Sequence, residues 1–140
     1  MIDWLTLKLP QRMLPDEVAR RVLDRAGRVM RLDADGVIEW ETLVWDRVRS
    51  DLGSVLCRLG DGLEIMGSPA RAQGADNAFG TSDIRVAAEA MLSVVSSALE
   101  WQLPREWSLY RVTRCDVTES YFLGACFFPG TQRCDLRQLE

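Results

Sequence analysis

The stretch Gly67–Gly80, with the sequence GSPARAQGADNAFG, constrains the fold most because it separates two regular segments. Its three glycines and one proline exclude a regular strand or helix across it, since both residue types interrupt such elements. A loop of about fourteen residues is longer than most connections in compact domains, and long loops are often functional. The pattern is equally typical of a surface excursion anchored by Phe79 and of a binding site.

The segment before this loop begins with an alternating strand and an amphipathic helix. Alternation predicts a strand over Ile2–Leu9, which Pro10 ends. Asp3 shares the predicted apolar face of this strand with three leucines. It lies either at the frayed end of the strand, in water, or as a carboxylate at the edge of the sheet. A helix follows over residues 14–27. Its buried stripe is predicted to hold Val18, Val22, Leu23 and Ala26.

Turn signals and apolar spacing predict the remaining elements. Two hairpins and a further strand precede the loop, and a long helix and a last strand follow it. The helix begins at a Thr81 or Ser82 cap and buries Ile84 among its apolar positions. Meandering strands with two main helices predict an α+β fold, with an antiparallel β-sheet covered by helices on one face. The predicted ranges are 29–32 with 37–42, 43–50, 54–59 with 63–67, 82–101 and 107–118.

Two residue types limit the possible chemistry. The chain has no histidine, which excludes Ser-His-Asp and Cys-His catalysis. Its four cysteines form no Cys-x-x-Cys pair, so a structural zinc site is not expected and four free thiols are. The N-terminus lacks a signal-peptide pattern and no apolar run reaches the roughly 20 residues of a membrane span, which predicts a cytosolic protein without a membrane partner.

The charge distribution is acidic. The net charge is −4, which is not typical of a protein that binds nucleic acid tightly by charge alone. On the last strand, Arg114 and Asp116 share one face, as an ion pair or as part of a metal site. In the second case Asp116, with Asp3 or Glu64, would bind Mg²⁺ or Mn²⁺ through carboxylate oxygens.

Three stretches resemble the N-terminal region of the filamentous-phage replication initiation proteins, the gene II/X family of phages and plasmids. They are Met1–Pro10, the GSPAR and GADNAFG segments of Gly67–Gly80, and the TRCDVT segment of Thr113–Thr118 with Tyr121 and Gly124 after it. The resemblance covers a single domain over about residues 1–124. The tail over residues 125–140 is unmatched, which indicates a truncated or frame-shifted gene or a deliberate fragment.

The resemblance implies a domain of rolling-circle initiators, in which a tyrosine attacks a DNA phosphodiester while a divalent metal polarises the phosphate. Asp116, with or without Asp3, would be the acid near the metal. The loop would approach DNA. The DNA-binding residues implied in this way are Ser68, Arg71, Asn77 and Arg114.

The chain departs from that family in its catalytic groups. It has no metal-binding histidine, and Asp76 stands where relatives would allow one. The family's nucleophilic tyrosine lies downstream of the matched region. Of the two tyrosines here, Tyr110 is interpreted as a packing residue and Tyr121 as non-catalytic. The prediction is therefore a truncated initiator-like domain that contacts single-stranded or supercoiled phage or plasmid DNA without the nicking tyrosine, and with no catalytic residue assigned.

An alternative hypothesis fits the acidic charge better. A catalytically inactive phage-derived protein could bind and inhibit a host nucleic-acid-binding machine, in the manner of an anti-CRISPR, by competing for its basic groove. Its partner would be a host defence protein complex. The acidic residues predicted to make that contact are Glu64, Asp76, Asp83 and Glu89.

Overall fold

A computed structural model describes residues 1–49, 51, 53–74 and 80–119. Within them the predicted α+β fold is confirmed. Five antiparallel strands form one sheet in the order β4-β5-β6-β1-β7, and β2 and β3 form a separate hairpin. The elements in chain order are β1 Ile2–Pro10, α1 Asp16–Arg25, β2 Arg28–Leu32, β3 Ile38–Leu43, β4 Asp46–Arg49, β5 Ser54–Leu59, β6 Gly62–Gly67, α2 Pro69–Ala72, α3 Ile84–Leu99 and β7 Arg111–Val117, with 3-10 turns at Gln11–Met13 and Trp107–Leu109.

The first strand organises the sheet because it pairs with β6 on one side and β7 on the other. Leu5, Leu7 and Leu9 are buried on the face that the helices cover. The predicted position of Asp3 on this face is wrong. The pairing with β7 shifts register between Ile2 and Trp4, so that Ile2 takes the buried position and Asp3 is the extra residue of the irregularity.

Helices α1 and α3 bury their apolar faces in the same core as the strands. Val18 and Val22 of α1 are buried as predicted, whereas Leu23 is 40% exposed. Helix α3 begins at Ile84, two residues after the start of the predicted range, because its N-cap is Asp83 and not Thr81 or Ser82. Asp83 accepts hydrogen bonds from the amides of the next turn. Ile84 therefore lies at the exposed start of the helix, where it is 40% exposed. The buried positions of α3 are Ala87, Ala88, Met91, Leu92, Val94, Val95, Ser96 and Leu99.

The predicted irregular loop contains one short helix. Pro69–Ala72 forms α2, and Pro69, Ala70 and Ala72 are buried. Small side chains let this turn pack closely on the sheet and α3, which offsets the low helix propensity of the surrounding residues. Phe79, the predicted anchor of the loop, lies outside the described residues.

The β2–β3 hairpin lies outside this core. Its turn has Gly36 at φ 80°, the left-handed conformation that glycine adopts easily, and Asp33 accepts hydrogen bonds from two turn amides. Val29, Met30 and Trp40 are each about half exposed, so the hairpin adds little to the buried core. The longest described helix, α3, has 16 residues, and no described helix meets the length and hydropathy that a bilayer crossing requires.

Candidate nucleic-acid interface

The sheet has an open face, defined here as the side that points away from α1 and α3. Alternation places Trp4, Thr6 and Lys8 of β1 on it, because their neighbours Leu5, Leu7 and Leu9 face the core. In the described part of the chain no helix covers this face. Its basic side chains come from β1, β4, β5 and β7, and the register places six of them there: Lys8, Arg47, Arg49, Arg58, Arg111 and Arg114.

The middle of the open face is an ion-pair ladder. Lys8, Glu64 and Arg58 are in register across β1, β6 and β5. Arg58 donates to Glu64 at 2.6 Å and its guanidinium lies 4.4 Å from the Trp45 ring centroid. Lys8 donates to Asp61, and this hydrogen bond raises the pKa of Lys8 and lowers that of Asp61. These cations already have anionic partners, which reduces their attraction for a further anion.

A second ion pair lies on β7. Arg114 Nη2 is 2.5 Å from Asp116 Oδ2, and Arg114 Nε is 3.0 Å from both carboxylate oxygens. The hydrogen bond from Arg114 lowers the pKa of Asp116. The predicted ion pair between these residues is therefore present, and the metal interpretation stays a prediction.

The predicted metal site at Asp116 does not fit the donors in the described part of the chain. A cation there would have to displace the guanidinium of Arg114. Nowhere in the described residues do three or more Asp, Glu, Cys or His side chains come together as a metal-binding group. Asp3 sits at the register shift of β1, next to the residue that pairs with Asp116. A bound Mg²⁺ or Mn²⁺ stays a prediction.

Beside the ladder, a small notch of about 60 Å³ opens between β1, β4, β5 and α2. Ser68 and Arg71, both predicted to bind DNA, line it together with Trp4 and Arg47. Leu56 and Met66 complete its lining with apolar surface, along with Ser54, Val55 and Gly67. The notch is thus a small recess with a mixed polar and apolar lining that includes two arginines.

The local structure explains how these side chains meet. Arg47 pairs directly with Leu56 across β4 and β5, and both residues occupy the open face. Arg71 is exposed on α2, whereas the other three residues of this helix are buried. Gly53 packs so closely on the backbone of Arg71 and Ala72 that a side chain there would overlap it. This contact holds α2 against the start of β5.

The charge state of the notch differs from that of the ladder. Among the described residues, no carboxylate lies within ion-pair distance of Arg47 or Arg71, and the same holds for Arg49 and Arg111. The indole Nε1–H of Trp4 is buried and has no hydrogen-bond acceptor in the described structure. A notch lined by two arginines without a carboxylate partner in the described part of the chain is suited to an anion.

The described tyrosine is not placed as a nucleophile. The Tyr110 hydroxyl donates to the Pro104 carbonyl at 2.9 Å, and burial raises the pKa of Tyr110 to about 12. Its ring lies 6.3 Å from that of Trp107, which agrees with the interpretation as a packing residue. It precedes β7 rather than lying in it, because a 3-10 turn replaces the predicted start of that strand. Tyr121 lies outside the described residues.

The acidic residues of the alternative hypothesis do not share one surface. Glu64 lies in the ladder on the open face, whereas Asp83 caps α3 and Glu89 is exposed on that helix, on the other side of the sheet. Asp76 is outside the described residues, as is the predicted DNA-binding residue Asn77.

The open face contains predicted site residues and others that the sequence did not single out. Ser68 and Arg71 meet in the notch, and Arg114 lies one strand away, opposite Thr6. Trp4 and Arg47 were missed. The signal for Arg47 was its alternation with Val48 in the predicted strand over residues 43–50, and the signal for Trp4 was its place on the polar side of β1.

Comparison with known proteins adds a family to this geometry. A family of phage replication-associated proteins of the gene II type, described by its N-terminal region, matches residues 1–125. Searches of curated proteins and of solved structures found no match. The family match confirms the resemblance predicted from the three sequence stretches and spans most of the chain. This chain therefore belongs to the phage replication-associated protein family of the gene II type and matches its N-terminal domain.

Proposed function

We propose that this domain contacts single-stranded or supercoiled phage or plasmid DNA in rolling-circle replication, without supplying a nicking tyrosine. The contact surface is the open face of the five-stranded sheet. The observation that carries the proposal is the set of arginines on and beside that face without a carboxylate partner among the described residues, in a chain of net charge −4. The proposed place of action is the cytoplasm of the bacterial host.

The uneven charge supports DNA as the ligand. The open face and its borders carry seven basic side chains, whose acidic neighbours are Asp61, Glu64 and Asp116. Those three carboxylates partner Lys8, Arg58 and Arg114, while the other four cations are available to phosphates. A surface with few available cations binds weakly and with a moderate dependence on salt, which agrees with the modest affinity expected from an acidic chain.

The chemistry of the tyrosines supports a contact without nicking. A phosphodiester is attacked by a phenolate or by a phenol with a nearby base. The Tyr110 hydroxyl instead donates to a backbone carbonyl, and its raised pKa disfavours the phenolate. No histidine is present to act as a base.

Two assays on the purified chain test the proposal. Fluorescence anisotropy with a labelled single-stranded oligonucleotide at low salt should show saturable binding. Incubation with supercoiled origin DNA and Mn²⁺ should give neither nicked circles nor a covalent protein–DNA adduct. Nicked circles that disappear in Asp116→Ala would overturn the statement that the chain does not nick and would support metal chemistry at this residue.

A matched pair of charge reversals tests the surface. Arg111 is on the open face, directly opposite Lys8, and outside the notch. Arg20 is exposed on α1, on the other side of the sheet. Arg111→Glu should weaken binding strongly, and Arg20→Glu should leave it nearly unchanged. Equal losses would mean that binding follows net charge and not the open face.

The net charge of −4 favours the host-inhibitor hypothesis, but the placement of its predicted residues does not. Its predicted acids are divided between the two sides of the sheet, and Glu64 already bonds to Arg58 at 2.6 Å. Absence of DNA binding at low salt, together with a stable complex with a host defence protein, would favour the host-inhibitor hypothesis over DNA contact.

A further inference from the structure

We propose that the notch lined by Trp4, Arg47, Ser68 and Arg71 is a subsite for one backbone phosphate of the bound DNA strand. This inference rests on the proposed function and adds to it the residues that would hold the strand at one fixed point. The family match assigns no residue of this notch.

The two arginines give the notch its preference for an anion. Arg58 and Arg114 have carboxylate partners at 2.6 Å and 2.5 Å, whereas Arg47 and Arg71 have none within the described part of the chain. A guanidinium binds phosphate through parallel N–H···O bonds, which are stronger and more directional than bonds between neutral groups. Two such groups at one recess fit a tetrahedral oxyanion.

Trp4 supplies an independent observation. Its Nε1–H is buried and lacks an acceptor in the described structure, although indole N–H groups usually find a partner when they are buried. Trp4 also lines the notch, so a ligand seated there changes the surroundings of this indole. The preference for an anion comes from the two arginines, and Trp4 serves as the reporter of occupancy.

The size of the notch identifies the part of DNA that it takes. Its volume of about 60 Å³ is far below the roughly 300–1,000 Å³ of pockets that hold drug-sized ligands. A nucleoside would not fit, whereas a phosphate group has only a few heavy atoms. The apolar walls formed by Leu56 and Met66 lower the local dielectric constant and strengthen the attraction between guanidinium and phosphate.

Strands and a helical turn position the side chains that line the notch. Arg47 projects from β4, and Trp4 from β1, while Arg71 projects from a turn whose neighbouring side chains are buried. Sites on strands and anchored helices bind with less loss of conformational entropy than sites on free loops. The notch can therefore fix the register of the strand on the open face.

The test follows the indole resonance of Trp4 by NMR. The chain has five tryptophans, and the Trp4→Phe variant identifies the signal of Trp4. Titration with inorganic phosphate, and separately with a short oligonucleotide, should shift this signal saturably. In the Arg47→Gln/Arg71→Gln variant the shift should be lost, and affinity for single-stranded DNA should fall by about tenfold or more. Arg20→Gln serves as the control and should leave the shift of the Trp4 signal and the affinity for single-stranded DNA unchanged.

The outcomes separate this inference from the proposed function. If DNA binds equally well to the Arg47→Gln/Arg71→Gln variant and the Trp4 signal does not respond, the notch is not a phosphate subsite, while DNA binding by the open face stands. If phosphate shifts the Trp4 signal but no DNA binds, both the assignment to DNA and the proposed function fail. Dispersed amide spectra of each variant show that it is folded.

Discussion

The contact between Gly53 and α2 predicts a substitution that links the fold to the site. A Cβ atom at residue 53 would overlap the Arg71 carbonyl oxygen and lie 2.7 Å from its carbonyl carbon and 2.9 Å from Ala72 Cα. Ordinary contacts begin at 3.4 Å, and the overlap with the carbonyl oxygen is the most severe, so the backbone of α2 must move by roughly 1 Å or more in Gly53→Ala. Because the obstacle is backbone and not a flexible side chain, the strain cannot be relieved by a rotamer change.

The magnitude follows from the cost of overpacking, about 1–3 kcal/mol. For a domain of this size that corresponds to a decrease in Tm of about 3–10 °C. The displacement should also reduce affinity for single-stranded DNA, since it moves Arg71 without changing any charge. Differential scanning calorimetry and fluorescence anisotropy on the same preparation measure the two effects.

Gly60→Ala is the matched control for this substitution. It is the same chemical change near the opposite end of β5, and a Cβ atom at Gly60 meets nothing within 4 Å. This variant should match the native protein or gain up to about 1 kcal/mol through the lower entropy of its unfolded chain. If Gly53→Ala and Gly60→Ala unfold at the same temperature, α2 is not held against β5 as described, and Arg71 is not positioned by that contact.

Three further predictions test other parts of the molecule. Ultraviolet titration should show Tyr110 ionising near pH 12 in the folded protein, and Tyr110→Phe should remove that step; ionisation near pH 10 would show an exposed phenol. Thiol labelling of the native protein should decrease in Cys115→Ser and not in Cys57→Ser. Cys115 is exposed, whereas burial raises the pKa of Cys57 to about 12 and so disfavours the reactive thiolate. Replacing residues 28–43 by a short Asn-Gly turn should change Tm by only a few degrees, because Val44 N–H already donates to the Gly27 carbonyl and the core contains no side chain of the hairpin. Global unfolding of this variant would show that the hairpin supports the core.

The sequence predicts the strands well because burial of one sheet face imposes strict alternation. The hairpins at Asp33–Gly36 and Gly60–Gly62 also follow from turn residues that act locally. The irregularity at Asp3 is not predictable in this way, because it depends on the register between β1 and β7, two strands far apart in the chain. Helix α2 was missed because the glycines and proline of Gly67–Gly80 point away from regular structure, although Pro69 is at its first turn and Ala and Arg favour a helix.

The site residues also divide into those that local sequence indicates and those that only the pairing of distant strands brings together. Ser68 and Arg71 are close in sequence and belong to a motif of the family resemblance, so the sequence points to both. Trp4 and Arg47 reach them only through pairing of β1, β6, β5 and β4 in one sheet. The pairing of Arg114 with Asp116, two residues apart on β7, is predictable from alternation.

The salt dependence of single-stranded DNA binding decides whether the open face of the sheet is the DNA-binding surface. Four open-face or notch arginines lack a carboxylate partner in the described residues, namely Arg47, Arg49, Arg71 and Arg111. If each neutralises one phosphate, log K should fall against log salt concentration with a slope of about −2.8, and Arg47→Gln/Arg71→Gln should reduce the slope by about 1.4. A native slope near zero would contradict DNA binding by this face, whereas a slope that Arg47→Gln/Arg71→Gln leaves unchanged would contradict only the phosphate subsite in the notch.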